Sequence, residues 1–100
     1  ENINAITYLT INKKKVRGNH YHKKTIQWNY LISGKVMFVS KNNGKKKKFI
    51  GKKGDLIKIG TKEHHALKAI VKSELMVFTK GPRGGKEYEK DTFRLKNSLI

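Results

Sequence analysis

The chemistry in this chain gathers around its imidazoles. His20 and His22 flank Tyr21, Gln27 follows, and His64 and His65 stand side by side further on. In an extended chain successive side chains point to opposite faces, so His20 and His22 share one face, which is how a two-histidine grip is made on a strand. Gln27 stands at an odd offset from His22 and would face away on one continuous strand. A hairpin at Lys23-Lys24-Thr25 is therefore expected to bring it round. Of His64 and His65 only one can face inward, and alternation does not decide which. Such a cluster serves two chemistries: it can ligate a divalent transition metal, or, because histidine titrates near neutrality, it can act as acid and base. The plainer alternative is a set of exposed or hydrogen-bonded histidines.

The elements that must position these groups read as strands. Short β-branched and aromatic runs alternate with Gly, Asn and Lys clusters at roughly ten-residue spacing, the pattern of an all-β barrel or sandwich. Strands are expected over 3–11, 16–22, 26–32, 35–40, 46–50, 56–59, 65–71 and 74–79. Asn42-Asn43-Gly44 supplies residues that tolerate positive φ, as a tight hairpin requires. The run from Lys45 to Lys48 enters the returning strand and reads as a solvated edge protected by charge, ahead of an anion patch. Gly81-Pro82-Arg83-Gly84-Gly85 must break regular structure and matches no phosphate-loop pattern. From Lys86 to Leu95 a polar tail anchored by Tyr88, Phe93 and Leu95 is expected to cross the barrel as a strand or an irregular strap. Trp28 and Tyr30 alternate opposite to Gln27, so they are expected to pack in a core layer or against a partner, while Asn29 shares the Gln27 face. Asp55 reads as a turn cap, and Glu63 as a surface pair with His64.

Composition narrows the function. The chain has 100 residues, a length that suits one domain over 1–100. The absence of cysteine removes disulfides, thiolate metal sites and thiol nucleophiles together. The longest apolar runs, such as 75–78, fall far short of the ~20 residues that span a bilayer, and no apolar signal segment opens the chain. No membrane association is expected, and the location expected is cytoplasmic. Lys and Arg number 24 against 7 Asp and Glu, a formal charge of +17 that attracts polyanions: nucleic acid, acidic polysaccharide or sugar phosphates. Only three of these cations are Arg, whereas base readout and bidentate phosphate binding favour Arg, so nucleic acid is not the partner expected.

The spacing of two motifs resembles the cupin superfamily. Its first motif runs Gly, His-x-His, an acidic residue, then Gly; here Gly18, His20-Tyr21-His22, Gln27 and Gly34 follow that order. Its second begins Gly-Asp, continues through a hydrophobic strand and reaches a His; here Gly54-Asp55-Leu56-Ile57-Lys58-Ile59 leads to His65. The resemblance implies an all-β fold, a single-domain cupin of double-stranded β-helix or jelly-roll type. It chooses His65 over His64 as the pocket residue, gives His20, His22, Gln27 and His65 as the ligand set, and implies a homodimer, which the apolar first strand could serve. Three departures stand out: Gln27 for the usual Glu, Gly60-Thr61-Lys62 for Pro-x-Gly, and Ala69 for the closing Asn. Three imidazoles suit Zn, Ni, Fe or Cu, but a neutral Gln27 leaves a dication's charge uncompensated. One divalent metal and a metal-free site therefore both remain open.

A narrower resemblance concerns Arg17-Gly18-Asn19-His20-Tyr21-His22-Lys23-Lys24 with Gln27 beyond it. It is similar to the motif of nucleotide-sugar 3,4-ketoisomerases, which implies metal-free acid-base chemistry by pocket histidines. It is also similar to the cupin domain of capsular polysaccharide enzymes, which implies a metal; Tyr21 departs from the Ala of the first group and matches the second. Both imply an activated sugar or nucleotide-sugar ligand. On this reading the chain is an isomerase or epimerase of polysaccharide or sugar-nucleotide metabolism, with His22 as base and His20 beside it as the catalytic histidines. Arg17, Gln27 and Asn29 would hold substrate. The alternatives are a non-catalytic metal- or sugar-binding cupin module and a basic nucleic-acid-binding barrel.

Overall fold

A computed structural model describes residues 3–81 and 90–100. Nine strands follow one another: β1 (Ala5–Ile11), β2 (Val16–His22), β3 (Ile26–Ser33), β4 (Lys35–Asn42), β5 (Lys45–Lys52), β6 (Leu56–Ile59), β7 (His64–Ala69), β8 (Ser73–Lys80) and β9 (Thr92–Arg94). They form two antiparallel sheets, one in the order β1-β8-β3-β6 and the other β5-β4-β7-β2-β9. Apart from the β4-β5 hairpin, consecutive strands lie in opposite sheets, so the chain passes back and forth across the barrel. The all-β jelly-roll barrel is thus present, and the expected strands agree with the observed ones to within two residues at most ends.

The core lies between the sheets. Ile11, Leu31 and Leu75 from the four-stranded sheet meet Val36, Phe38, Leu67 and Ala69 from the five-stranded one, with Leu9 and Ile57 packed at the margin. Two turns show why these strands form where they do. Asn43 and Gly44 both take positive φ, 52° and 78°, between the paired residues Asn42 and Lys45, as a two-residue hairpin turn demands. Gly34 alone carries the chain from β3 into β4, at φ 96°; a Cβ there would lie 2.2 Å from Ser73 Oγ, so no larger residue fits. The lysine run lies on β5, the exposed edge of the five-stranded sheet, where charge discourages pairing with a further strand.

Three expectations need correction. The segment 23–25 is not a hairpin: β2 pairs with β7 and β9, β3 pairs with β6 and β8, and the chain crosses between sheets there. Trp28 and Tyr30 do not join a core layer. They lie on the outer face of the four-stranded sheet, in register with Phe78, Met76, Leu56 and Lys58, and the Lys58 ammonium sits 5.7 Å from the Trp28 ring centre. Ile6 and Tyr8 of β1 join that face, opposite Phe78 and Met76. Glu63 is a turn cap instead of a surface partner of His64: its carboxylate accepts a hydrogen bond from Gly60 N at 3.1 Å. Asp55 caps its turn as expected, accepting from Lys52 N at 2.8 Å. Residues 82–85 of the expected break and Tyr88 of the expected tail lie outside the described residues. No helix is long and apolar enough to cross a membrane, among the described residues.

Candidate functional site

The site begins with an irregularity in β2. Gly18 pairs with Ala66 and His20 with His65, so Asn19 is one extra residue, a β-bulge. Gly18 and Asn19 both take positive φ, 95° and 58°. A Cβ on Gly18 would lie 2.8 Å from the His65 carbonyl oxygen, so only glycine lets β2 approach β7 this closely. The bulge changes parity. Counting along the ladder, Arg17 opposite Leu67 and His20 opposite His65 now share a face, which uninterrupted alternation would not allow. Beyond the bulge, His20 and His22 share a face as expected.

The three imidazoles meet between the sheets. Ring centres lie 4.7 Å apart for His20 and His22, 4.6 Å for His20 and His65, and 5.6 Å for His22 and His65. His65 is the inward member of its pair, whereas His64 stacks on Tyr21 at 4.6 Å. Each ring has a hydrogen bond that fixes its tautomer. His22 Nδ1 donates to the Asp91 carbonyl and His65 Nδ1 to the Glu63 carbonyl, each at 3.0 Å, which leaves both lone pairs on Nε2. His20 is the reverse: its Nδ1 accepts from Arg94 Nη1 at 3.3 Å, and since a guanidinium cannot accept, the ring proton of His20 is on Nε2.

A cavity of about 470 Å³ opens beside this cluster. Arg17, His20, Gln27, Asn29, His65 and Arg94 supply its polar wall, aliphatic side chains such as Leu9, Ile59 and Val77 the rest, and no carboxylate among the described residues lines it. Gln27 and Asn29 reach it from β3, in the sheet opposite the histidines. Of the expected site residues His22 alone does not line it; His22 is 1% exposed and lies behind the other rings.

Two contributors were not anticipated, and both come from the C-terminal segment. Asp91 is buried, and its carboxylate accepts from Lys23 N, Lys24 N and Thr25 Oγ1, at 3.1, 3.0 and 2.7 Å, closing the crossing between β2 and β3. Burial pushes the Asp91 carboxyl up, but these hydrogen bonds outweigh it and hold the group below its ordinary value. Arg94, two residues past the β9 partner of His22, pairs with His20 across the β2-β9 ladder and reaches the cavity. The only sequence signal for either was the placing of Phe93 as an anchor.

Burial dominates the electrostatics. It drives His20 down to about 3, helped by His65, His22, Arg94 and Arg17, and drives His65 down to about 4 against the opposing pull of the Glu63 carbonyl. Both rings are therefore neutral at pH 7. As a donor set the cluster fits a metal in part. The ligand-capable atoms of the three histidines lie within 4.8 Å of one another, and neutral imidazoles held by carbonyls through Nδ1 are the usual form of metal-binding histidine. Three histidines could hold a divalent ion, with Gln27 as a neutral neighbour.

No protein-family model matches the chain, and no curated protein sequence matches it. Solved structures do. A dTDP-4-dehydrorhamnose 3,5-epimerase from Sulfolobus tokodaii superposes with a TM-score of 0.82 at 18% identity, over 99% of this chain and 61% of that one. A sugar 3,4-ketoisomerase from Thermoanaerobacterium thermosaccharolyticum, in complex with TDP, gives 0.80 at 23% identity, over 94% and 68%. The capsular polysaccharide assembling protein from Staphylococcus aureus gives 0.80 at 13% identity, over 92% of this chain but 27% of that one, so the chain spans about a quarter of that protein's length. At these identities the likeness is one of fold, and the fold is the cupin barrel.

The depressed histidines set a pH dependence. In the unfolded chain His20 and His65 take up protons near 6.5, while in the folded one they do so only near 3 and 4. Between these values the unfolded state binds more protons, so stability is full above about pH 6.5 and is lost as pH falls through that window. Scanning calorimetry should show the thermal midpoint dropping between pH 7 and pH 4, and His65→Asn should flatten the drop. A midpoint that holds or rises on acidification contradicts neutral, buried histidines.

Proposed function

We propose that this chain is a sugar isomerase or epimerase acting on a nucleotide-linked keto sugar, with proton transfer carried by its histidines. The observation that carries the reading is the pairing of opposite tautomers: His20 presents an Nε2 proton and His22 an Nε2 lone pair, with ring centres 4.7 Å apart. Moving a ketone between neighbouring sugar carbons needs a base that takes a proton from one carbon and returns one to the next. It also needs a donor for the enediolate oxygen; the hydroxyl proton changes oxygens, and nothing is oxidised or reduced overall. His20, too weakly basic at about 3 to take a proton from carbon, suits the neutral donor's part. The base is assigned to His22, whose Nδ1 proton is held by the Asp91 carbonyl so that its lone pair is on Nε2. Because His22 is 1% exposed behind the rings of His20 and His65, whose centres lie 4.6 Å apart, the reading requires one of those rings to swing aside before the sugar carbon can reach it. Gln27 and Asn29 would orient hydroxyls from the opposite sheet, and Arg17 would meet a phosphate with its planar fork. The solved structures named above, a sugar 3,4-ketoisomerase and a dTDP-4-dehydrorhamnose 3,5-epimerase, support the substrate class.

A second reading, a metal-holding module, is favoured by the three-histidine geometry. A bound dication would polarise a sugar oxygen as a Lewis acid. The two arginines at the cavity weigh against it, since they add positive charge where a dication would need negative.

Proton NMR in deuterated water with a panel of 4-keto nucleotide sugars separates the two. Deuterium should enter the sugar carbon next to the ketone without added metal. His22→Asn should slow that exchange by about 100-fold or more, the scale of a lost general base. Exchange absent across the panel, or lost only on chelation, contradicts the proposal; exchange abolished by His65→Asn but kept by His22→Asn reassigns the base.

The homodimer is proposed through the outer face of the four-stranded sheet. Ile6, Tyr8 and Leu56 are 62, 55 and 60% exposed there, on a chain otherwise dominated by lysine. Contiguous apolar faces of this kind mark association sites. Sedimentation should give twice the 11.5 kDa chain mass, and Leu56→Lys should return it to one; a wild-type monomer at micromolar concentration would count against this face.

A further inference from the structure

The chain carries 21 Lys and 3 Arg. Where any cation would serve, lysine is what this sequence uses. Yet both arginines among the described residues, Arg17 and Arg94, line the histidine cavity. A guanidinium differs from an ammonium in its planar array of donors. At Arg94 one of those donors is directed at a ring nitrogen, His20 Nδ1, at 3.3 Å.

That contact bears on metal binding whichever nitrogen of His20 is considered. Ligation through Nδ1 requires the lone pair that Arg94 engages. Ligation through Nε2 requires the ring proton to move to Nδ1, where it would face the guanidinium donor. Either way Arg94 must leave before His20 can join His22 and His65 around an ion. The other two rings have no such conflict, because carbonyls of Asp91 and Glu63 hold their Nδ1 protons.

We propose that Arg94 is a selectivity residue: by holding His20 in the Nε2-H tautomer it keeps the three-histidine cluster from closing on a divalent cation and reserves the cavity for an anionic ligand. Asp91 serves this arrangement from the same segment. Its carboxylate anchors the chain to the β2-β3 crossing, and the Leu95 amide bonds the Asn19 carbonyl at 2.9 Å, so Arg94 is tied down on both sides. Arg94 is a positioning residue in this role, acting through His20. The inference deepens the metal-free reading above, but its test reads ring protonation and metal affinity, so a protein inactive on every sugar could still bear it out.

Two measurements decide it. Long-range ¹H-¹⁵N correlation of wild-type protein should show His20 as the Nε2-H tautomer at pH 7.5 while His22 and His65 are Nδ1-H; His20 found as Nδ1-H overturns the proposal without any variant. Calorimetric titration with Zn²⁺ alone, on the full chain, should then show Arg94→Gln binding about 10-fold or more tighter than wild type, the scale expected for a group that orients a metal-ligating histidine. Arg17→Gln removes the same charge without touching the His20 tautomer and should gain clearly less. An unchanged affinity in Arg94→Gln, or equal gains in both variants, overturns the role of the hydrogen bond. Arg94→Lys, which keeps the charge but not the planar fork, should fall between wild type and Arg94→Gln; an affinity unchanged from wild type would show that charge alone excludes the ion and contradicts the role of the directed guanidinium donor.

Discussion

One extra residue in β2 sets the geometry of the whole pocket. Were Asn19 paired as an ordinary strand residue, Arg17 and His20, three positions apart, would face opposite sides of the sheet; bulged out of the ladder, it lets them share the cavity. Left-handed backbone at a non-glycine residue costs roughly 1–2 kcal/mol, though asparagine tolerates it better than most. The C-terminal segment offsets that cost locally. Leu95 N donates to the Asn19 carbonyl and Leu99 N to its side-chain oxygen, at 2.9 and 2.8 Å, each bond contributing on the order of 1 kcal/mol. The bulge, the strand that covers it and the arginine that strand delivers are therefore one arrangement.

Electrostatics gives the arrangement its chemical direction. A chain of formal charge +17 has little reason to gather further cations in a cavity that no carboxylate among the described residues lines. Burial keeps His20 and His65 neutral, and carbonyls or a guanidinium choose which nitrogen of each ring carries the proton. Neutral rings of defined tautomer beside two guanidiniums suit an anionic substrate that must lose and regain a proton. The charge on β5, by contrast, belongs to an edge strand and lies outside the cavity.

Much of this was legible in the residues. Alternating β-branched runs gave the strands, Asn43-Gly44 the hairpin, and the family resemblance carried by Gly18, His20, His22, Gly34, Gly54 and His65 implied the jelly-roll barrel and its pocket. What alternation could not carry was anything that depends on a change of parity or of sheet. Gln27 meets the histidines because the chain crosses to the opposite sheet, not because it doubles back beside β2. Trp28 and Tyr30 were expected, from their alternation opposite to Gln27, in a core layer or against a partner; the register rules out the core layer and places them on an outer face. Asp91 and Arg94 were out of reach because their partners lie some seventy positions away, and a short polar strand after a glycine-rich stretch has no periodicity to announce it.

The central claim is that these histidines act on a sugar as neutral acid-base groups without a metal among them. A crystal structure grown with Zn²⁺ and a 4-keto nucleotide sugar together, with anomalous data, tests it most directly. On the proposed chemistry the sugar carbon next to the ketone lies within hydrogen-transfer reach of His22 Nε2, its oxygen sits on His20 Nε2, and no anomalous peak stands between the rings. A peak at about 2.0–2.1 Å from nitrogens of His20, His22 and His65, the distance of a zinc-imidazole bond, would contradict it.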